Sequence, residues 1–249
     1  MRDSVRSNFI AFTSVLEGVV DHMYLDVLGL VTVAIGNLVD GSPGPAPWLP
    51  ATHLPFVRRD GLLASQDDII SSWRAVKGDP KAAKFGHRYA ERIRGNDVRL
   101  TEAGISEVVL AKLDANDRQL AARFPGFADW PADAQLATHS MAWACGAAFR
   151  FPRLEAHLRA RDFDAAVNEC HMNETGNAGL RPRNAANKTL YANAARVHAY
   201  HLDPELHWPA VLSTDLPSVT RGEREEETGS GDTIHPLSYD VVPDQDDVA

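Results

Sequence analysis

The sequence predicts an α+β protein, mostly helical. A small β-hairpin lobe follows the first helix, a larger helical lobe makes up most of the chain, and a disordered acidic tail closes it. Three observations predict this. Apolar residues recur at three- and four-residue steps over most of the chain. One stretch, Tyr24–Val39, breaks that period with β-branched residues and glycines. Residues 213–249 are too charged and too poor in apolar groups to offset the entropy of ordering them.

From Phe9 to Met23 the positions Phe9, Phe12, Leu16, Val19, Val20 and Met23 form the stripe of an amphipathic helix, expected to end near Asp21. Residues 24–39 are read as the β-lobe. Residues 41–56 hold Pro43, Pro45, Pro47, Pro50 and Pro55, so a loop or insertion is expected there. Ser65 caps a helix, with Asp68 placed to reciprocate and Gly78 to end it. Asp79-Pro80 starts the next helix, running toward Gly95. Thr101-Glu102 opens a longer one with Ile105, Val108, Val109 and Leu113 on one face, stopping before Pro125. Pro131–Ala148 is apolar or small almost all round, as a core helix should be. Helices at 152–160, 163–171 and 183–200 complete the body.

The 249 residues are 44% apolar, which suffices for a packed core, and no internal repeat points to a solenoid or propeller. Residues 1–212 are expected to form the catalytic domain, with 41–97 as an insertion, and 213–249 the tail. The 25 Lys+Arg against 34 Asp+Glu give a net charge of −9, which excludes a global attraction to nucleic acid or anionic lipid. Residues 213–249 carry ten acids and two bases, leaving the rest near −1. Cys145 and Cys170 are too few for a disulfide scaffold or a four-thiolate zinc site and read as buried thiols. No apolar run reaches the length of a membrane span, and the first residues lack the pattern of a signal peptide. The expectation is synthesis in the cytoplasm, with action elsewhere only after release or injection.

The β-lobe carries the chemistry. Glu17, Asp26 and Thr32 bracket the passage from helix to hairpin. A carboxylic acid at a helix end, desolvated by Leu16 and Val20, could stay protonated and donate to a leaving oxygen. A second carboxylate in a more polar setting would stay ionised and hold a water. Glycoside hydrolysis needs that division of labour. The alternative is a solvated helix residue and a turn former.

The pattern Glu17-Gly18, Tyr24, Asp26, Gly29, Thr32 and Ile35-Gly36 resembles the active-site signature of phage-type lysozymes, the muramidases of glycoside hydrolase family 24. The steps from Glu17 to Asp26 and from Asp26 to Thr32 both match. The resemblance implies a lysozyme-like fold, with Glu17 as general acid, Asp26 as the ionised carboxylate and Thr32 as the hydroxyl that helps place the water. It implies an inverting reaction, for which the two carboxyl groups must stand about 6.5–9.5 Å apart. Leu100-Thr-Glu-Ala resembles the start of the family's interlobe helix, Ser140–Gly146 its central helix, and Ala165–Asn168 with Gly179–Asn184 its closing helices. Leu38, Trp143 and Asn168 match positions that touch the sugar chain, and Arg183, or else Arg181, matches an arginine near the general acid. Trp143 is either a sugar platform or core, Asn168 either a sugar contact or a surface amide, and Arg183 either a partner of the acid or the exposed start of a helix.

Two positions depart from the family: Asn37 stands where a histidine is usual and Ala34 where a glycine is common, which bears on a structural ion pair. The insertion carries Trp48, Phe56, Trp73 and Tyr89, which either widen the sugar-binding face or pack on the core. The tail is an address for an injection or secretion apparatus, a partner-binding segment or a solubilising end. His171, His198 and His201 lack metal spacing. The expected activity is peptidoglycan hydrolysis by a monomer without metal or cofactor. Its partners are glycan strands, with a secretion apparatus or immunity protein as possible protein partners. The competing readings are a lysozyme-like module that binds glycan without cutting it, a structural part of a phage tail or injection machine, and a hydrolase of chitin-type chains.

Overall fold

A computed structural model describes residues 1–26, 28–40, 54–175, 177, 179–205 and 207. The expected tail and most of the proline-rich stretch, Trp48 included, lie outside the described residues. The described chain is mostly helical with a small antiparallel sheet. The described residues fall in two compact units: those of Met1–Leu16 with 113–205 and 207, and those of Glu17–Lys112. No described helix is long and apolar enough to cross a membrane.

The first unit is helical. Helix α1 (Asp3–Glu17) buries Val5, Phe9, Phe12 and Thr13, a single stripe. The C-terminal half of α4 (Glu102–Arg123) belongs here, followed by a 3-10 turn at Phe127–Asp129. Helix α5 (Ala132–Cys145) has every residue from Ala132 to Ala144 buried, as its composition predicts. Then come α6 (Pro152–Ala160), with its proline in the first turn, and α7 (Phe163–Glu169), where Asp162 accepts from the Ala165 N–H. Helix α8 (Leu180–Ala199) packs on α5 and α7 and begins three residues before the expected start. Both cysteines are free, and burial pushes the Cys145 thiol up to about 12 and that of Cys170 to about 11.

The second unit holds the sheets. Strands β1 (Val20–Leu25), β2 (Val31–Ala34) and β3 (Asn37–Leu38) form an antiparallel sheet in the order β1-β2-β3. The first helix therefore stops four residues before the expected Asp21, and Val20 and Met23 are strand residues. The apolar stripe continues past the stop, but Gly18 takes a left-handed conformation (φ +74°) that no helix continues through. A second pair, β4 (Phe56–Arg58) with β5 (Val98–Leu100), joins residues some forty apart. This corrects the expectation of an irregular 41–56, because Phe56 starts a strand and is fully buried. Helix α2 (Gln66–Lys77) has the predicted capping box, Ser65 Oγ accepting from Asp68 N and Asp68 accepting from Ser65 N, and ends at Gly78. Helix α3 (Ala82–Ala90) packs on β1 and is broken inside by Gly86. Within this unit Phe56 and Trp73 are core, while Tyr89 donates to the Asp79 carboxylate at 3.1 Å.

Candidate active site

Cross-strand pairing fixes which side chains share a face. Tyr24 pairs with Thr32, and Thr32 with Leu38, so the three stand side by side on one face of the sheet. Asp26 follows β1 directly and its N–H continues the ladder to the Leu30 carbonyl at 2.9 Å, so it falls on the same face two residues beyond Tyr24. The face thus presents tyrosine, carboxylate, threonine and leucine. Leu38 is 46% exposed and Thr32 only 1%.

Asp26 is held by the turn it starts. Its Oδ1 accepts from Leu28 N at 2.9 Å and Leu30 N at 2.8 Å. Gly29 closes that turn with φ +72°. Burial is the largest influence on this carboxyl and pushes its pKa above the ordinary 3.8, with the negative Asp40 adding to it, while the two N–H groups and Lys77 pull the other way. The sequence reading put Asp26 in the more polar, ionised setting. The structure instead makes it a buried carboxyl, 7% exposed, one residue past the end of β1.

Glu17 is the last residue of α1, half-buried, and faces a cavity of ≈160 Å³ whose walls include Tyr24, Gly36 and His87. Asp26 and Thr32 do not line this cavity; Tyr24 is the member common to the two groups. Its phenol is raised well above 10, first by burial and then by the negative charges of Glu17 and Asp26. The Thr32 hydroxyl donates to the Leu30 carbonyl at 3.4 Å.

Beside Val31 of β2 lies a third carboxylate. Asp40 accepts from Val31 N at 3.0 Å, from Lys77 Nζ at 2.6 Å and from the Trp73 indole N–H. Sequence reasoning missed this group, since Lys77 and Asp40 are distant in the chain and neither sits in the signature. Asn37 takes no part in an ion pair; its Nδ2 donates to the Val108 carbonyl at 3.3 Å. Ala34, where a glycine is common, does adopt the left-handed conformation, with φ +57°.

Compared with the models of known protein families the chain matches none, and among curated proteins it finds no match.

The remaining candidates belong to the helical unit. Trp143 on α5 is 6% exposed and packs edge-on against Phe9 at 5.1 Å, which leaves little indole face for a sugar. Asn168 is exposed on α7. Arg183 is not an exposed helix start: it is 1% exposed, and its Nη1 donates to Ser140 O at 3.1 Å and to Ser140 Oγ at 2.9 Å, on α5. Arg181, the second choice, is exposed and lies 3.4 Å from Glu174.

Proposed function

We propose that this protein is a muramidase of the phage-lysozyme type, a peptidoglycan hydrolase cleaving the β-1,4 bond between N-acetylmuramic acid and N-acetylglucosamine. The observation that carries the reading is where the signature falls. Glu17 ends a helix and Tyr24, Asp26 and Thr32 share one face of the hairpin that follows. The signature glycines Gly18, Gly29 and Gly36 all stand at positive φ, where only glycine sits without strain. The motif is thus a set of backbone requirements as well as a set of functional groups. A lysozyme-like fold is part of the same proposal.

In this mechanism Glu17 gives its proton to the glycosidic oxygen as the bond from the anomeric carbon breaks. A water attacks that carbon from the opposite face, and Asp26 stabilises the oxocarbenium-like charge and accepts the proton of the water. Exchange with solvent then restores both carboxyls. Thr32 orients the water, and the product has inverted configuration. No cofactor takes part. Because burial raises the Asp26 pKa, the acid limb of the rate profile lies above that of an ordinary aspartate.

The test is lysis of purified cell walls followed by turbidity. Wild-type chain clears the suspension, and Glu17→Gln loses at least about 100-fold of the rate while melting as wild type does. Clearing at the wild-type rate by Glu17→Gln overturns the assignment of the acid. Walls that merely pellet with wild-type chain, releasing no reducing ends, identify a binder.

A further inference from the structure

The cavity beside Glu17 has a wall that comes from the insertion. His87 on α3 is half-buried, contributes to that wall, and meets Tyr24 edge to face with ring centroids 6.2 Å apart. Three features fix it there. Gly86 has φ +65° and ψ −161°, a backbone region essentially confined to glycine, so helix α3 is re-aimed immediately before the histidine. The His87 carbonyl accepts from His22 Nε2 on β1 at 2.8 Å. Asn96 Nδ2 ties the end of α3 to β1, donating to Ala90 O and to Met23 O, both at 2.9 Å. Yet the imidazole nitrogens of His87 have no hydrogen-bond partner among the described residues, although the backbone is so firmly held.

The chemistry of the walls selects what could enter. Val19, Val20 and the Tyr24 ring are apolar, while His87 and Glu17 are polar. At ≈160 Å³ the space is about half the smallest pocket that takes a drug-sized ligand, roughly 300 Å³. It suits a substituent of a sugar rather than a whole ring. An acetamido group has the matching parts: a methyl for the valines and a carbonyl that accepts from an imidazole N–H.

We propose that His87 is a specificity-determining residue that binds the N-acetyl group of the hexosamine held at Glu17, so that this cavity distinguishes acetylated from de-N-acetylated glycan. The assignment rests on the glycan reading given above. Burial pushes the imidazole pKa below its ordinary 6.5, His22 and Arg88 pull it further down, and Glu91 opposes them. In its neutral form the ring donates from one nitrogen while the other accepts.

The experiment titrates the full chain with tetra-N-acetylchitotetraose and with its de-N-acetylated counterpart, recording wall hydrolysis by the same preparation. Wild type prefers the acetylated sugar. His87→Phe keeps the ring and removes both nitrogens, so the preference falls about five- to tenfold, as the loss of one hydrogen bond requires. His87→Gln, which still donates, recovers part of it. Thermal melts confirm that both variants fold. A preference unchanged in His87→Phe, or no preference in wild type, overturns the assignment. If walls are cleaved and His87→Phe is unchanged, the pocket assignment fails alone. A His87-dependent preference without wall cleavage instead sinks the muramidase reading and leaves the pocket as that of a binder.

Discussion

The Lys77 ammonium lies 2.6 Å from the Asp40 carboxylate, and from the same position it donates to the Gly29 carbonyl, also at 2.6 Å. Helix α2 is thereby fastened to the turn that carries Asp26. The Asp40 side chain is 3% exposed and that of Lys77 is 30% exposed, so the pair is buried on the acid side and half-open on the other.

Lys77→Met strands the Asp40 carboxylate with only Val31 N and the Trp73 indole. Breaking a fully buried pair costs about 3–5 kcal/mol. Because Lys77 is partly exposed, about 2 kcal/mol is expected here, read as a shift in the urea midpoint. A loss below about 0.5 kcal/mol, the usual range of surface substitutions, contradicts the role given to the pair.

Gly18→Ala imposes left-handed strain of about 1–2 kcal/mol. The stiffer unfolded chain returns about 0.4–1 kcal/mol. No atom lies within 4 Å of the added Cβ, so steric cost is absent and the net loss is about 1 kcal/mol. Ala34→Gly behaves differently. Relief of strain at φ +57° is cancelled by glycine entropy and by the loss of a methyl that is 1% exposed, so denaturation should show no change beyond about 0.5 kcal/mol.

Asp26→Asn separates stability from activity. A carboxyl whose folded pKa is raised above 3.8 binds its proton more tightly folded than unfolded, so the charged form costs stability once the pH exceeds that window. The amide keeps an oxygen for Leu28 N and Leu30 N and carries no charge. The variant should melt higher than wild type at pH 7, with the gap closing as the pH falls below 3.8, while hydrolysis drops at least about 100-fold. A lower melting temperature at pH 7 would contradict the burial argument.

His139 in the helical unit is fully buried and lies 3.2 Å from Asp117. Burial lowers its pKa below 6.5 despite that carboxylate. Below 6.5 the unfolded chain gains a proton that the folded chain resists, so this share of stability is complete above 6.5 and is lost as the pH falls through the folded value. His139→Gln should therefore flatten the decline in melting temperature between about pH 7 and pH 5. An unchanged slope would place that decline elsewhere.

Most helices were legible because each carries its own period and its own stops. Ser65 with Asp68, and Asp162, cap as local chemistry demands, Pro152 takes the first turn of α6, and the all-round apolar run of α5 marks a core helix. The boundary between α1 and β1 is hidden in the sequence because Val19, Val20 and Met23 extend the helical stripe, while the deciding signal is the single residue Gly18. The β4–β5 pair was invisible for another reason: three-residue strands with no hairpin between them leave no local pattern. Within the candidate site, the spacing of Glu17, Asp26 and Thr32 is visible in the sequence. Lys77, Asp40 and His87 could not, because only folding brings the insertion against the hairpin.

The most direct measurement is the identity of the new reducing end. Walls are digested with wild-type chain and with Glu17→Gln, reduced with borohydride, and the fragments are weighed by mass spectrometry. Reduced N-acetylmuramic acid is expected in the wild-type digest and none above background with Glu17→Gln. Reduced N-acetylglucosamine, equal release by the variant, or no release from either would contradict the muramidase reading.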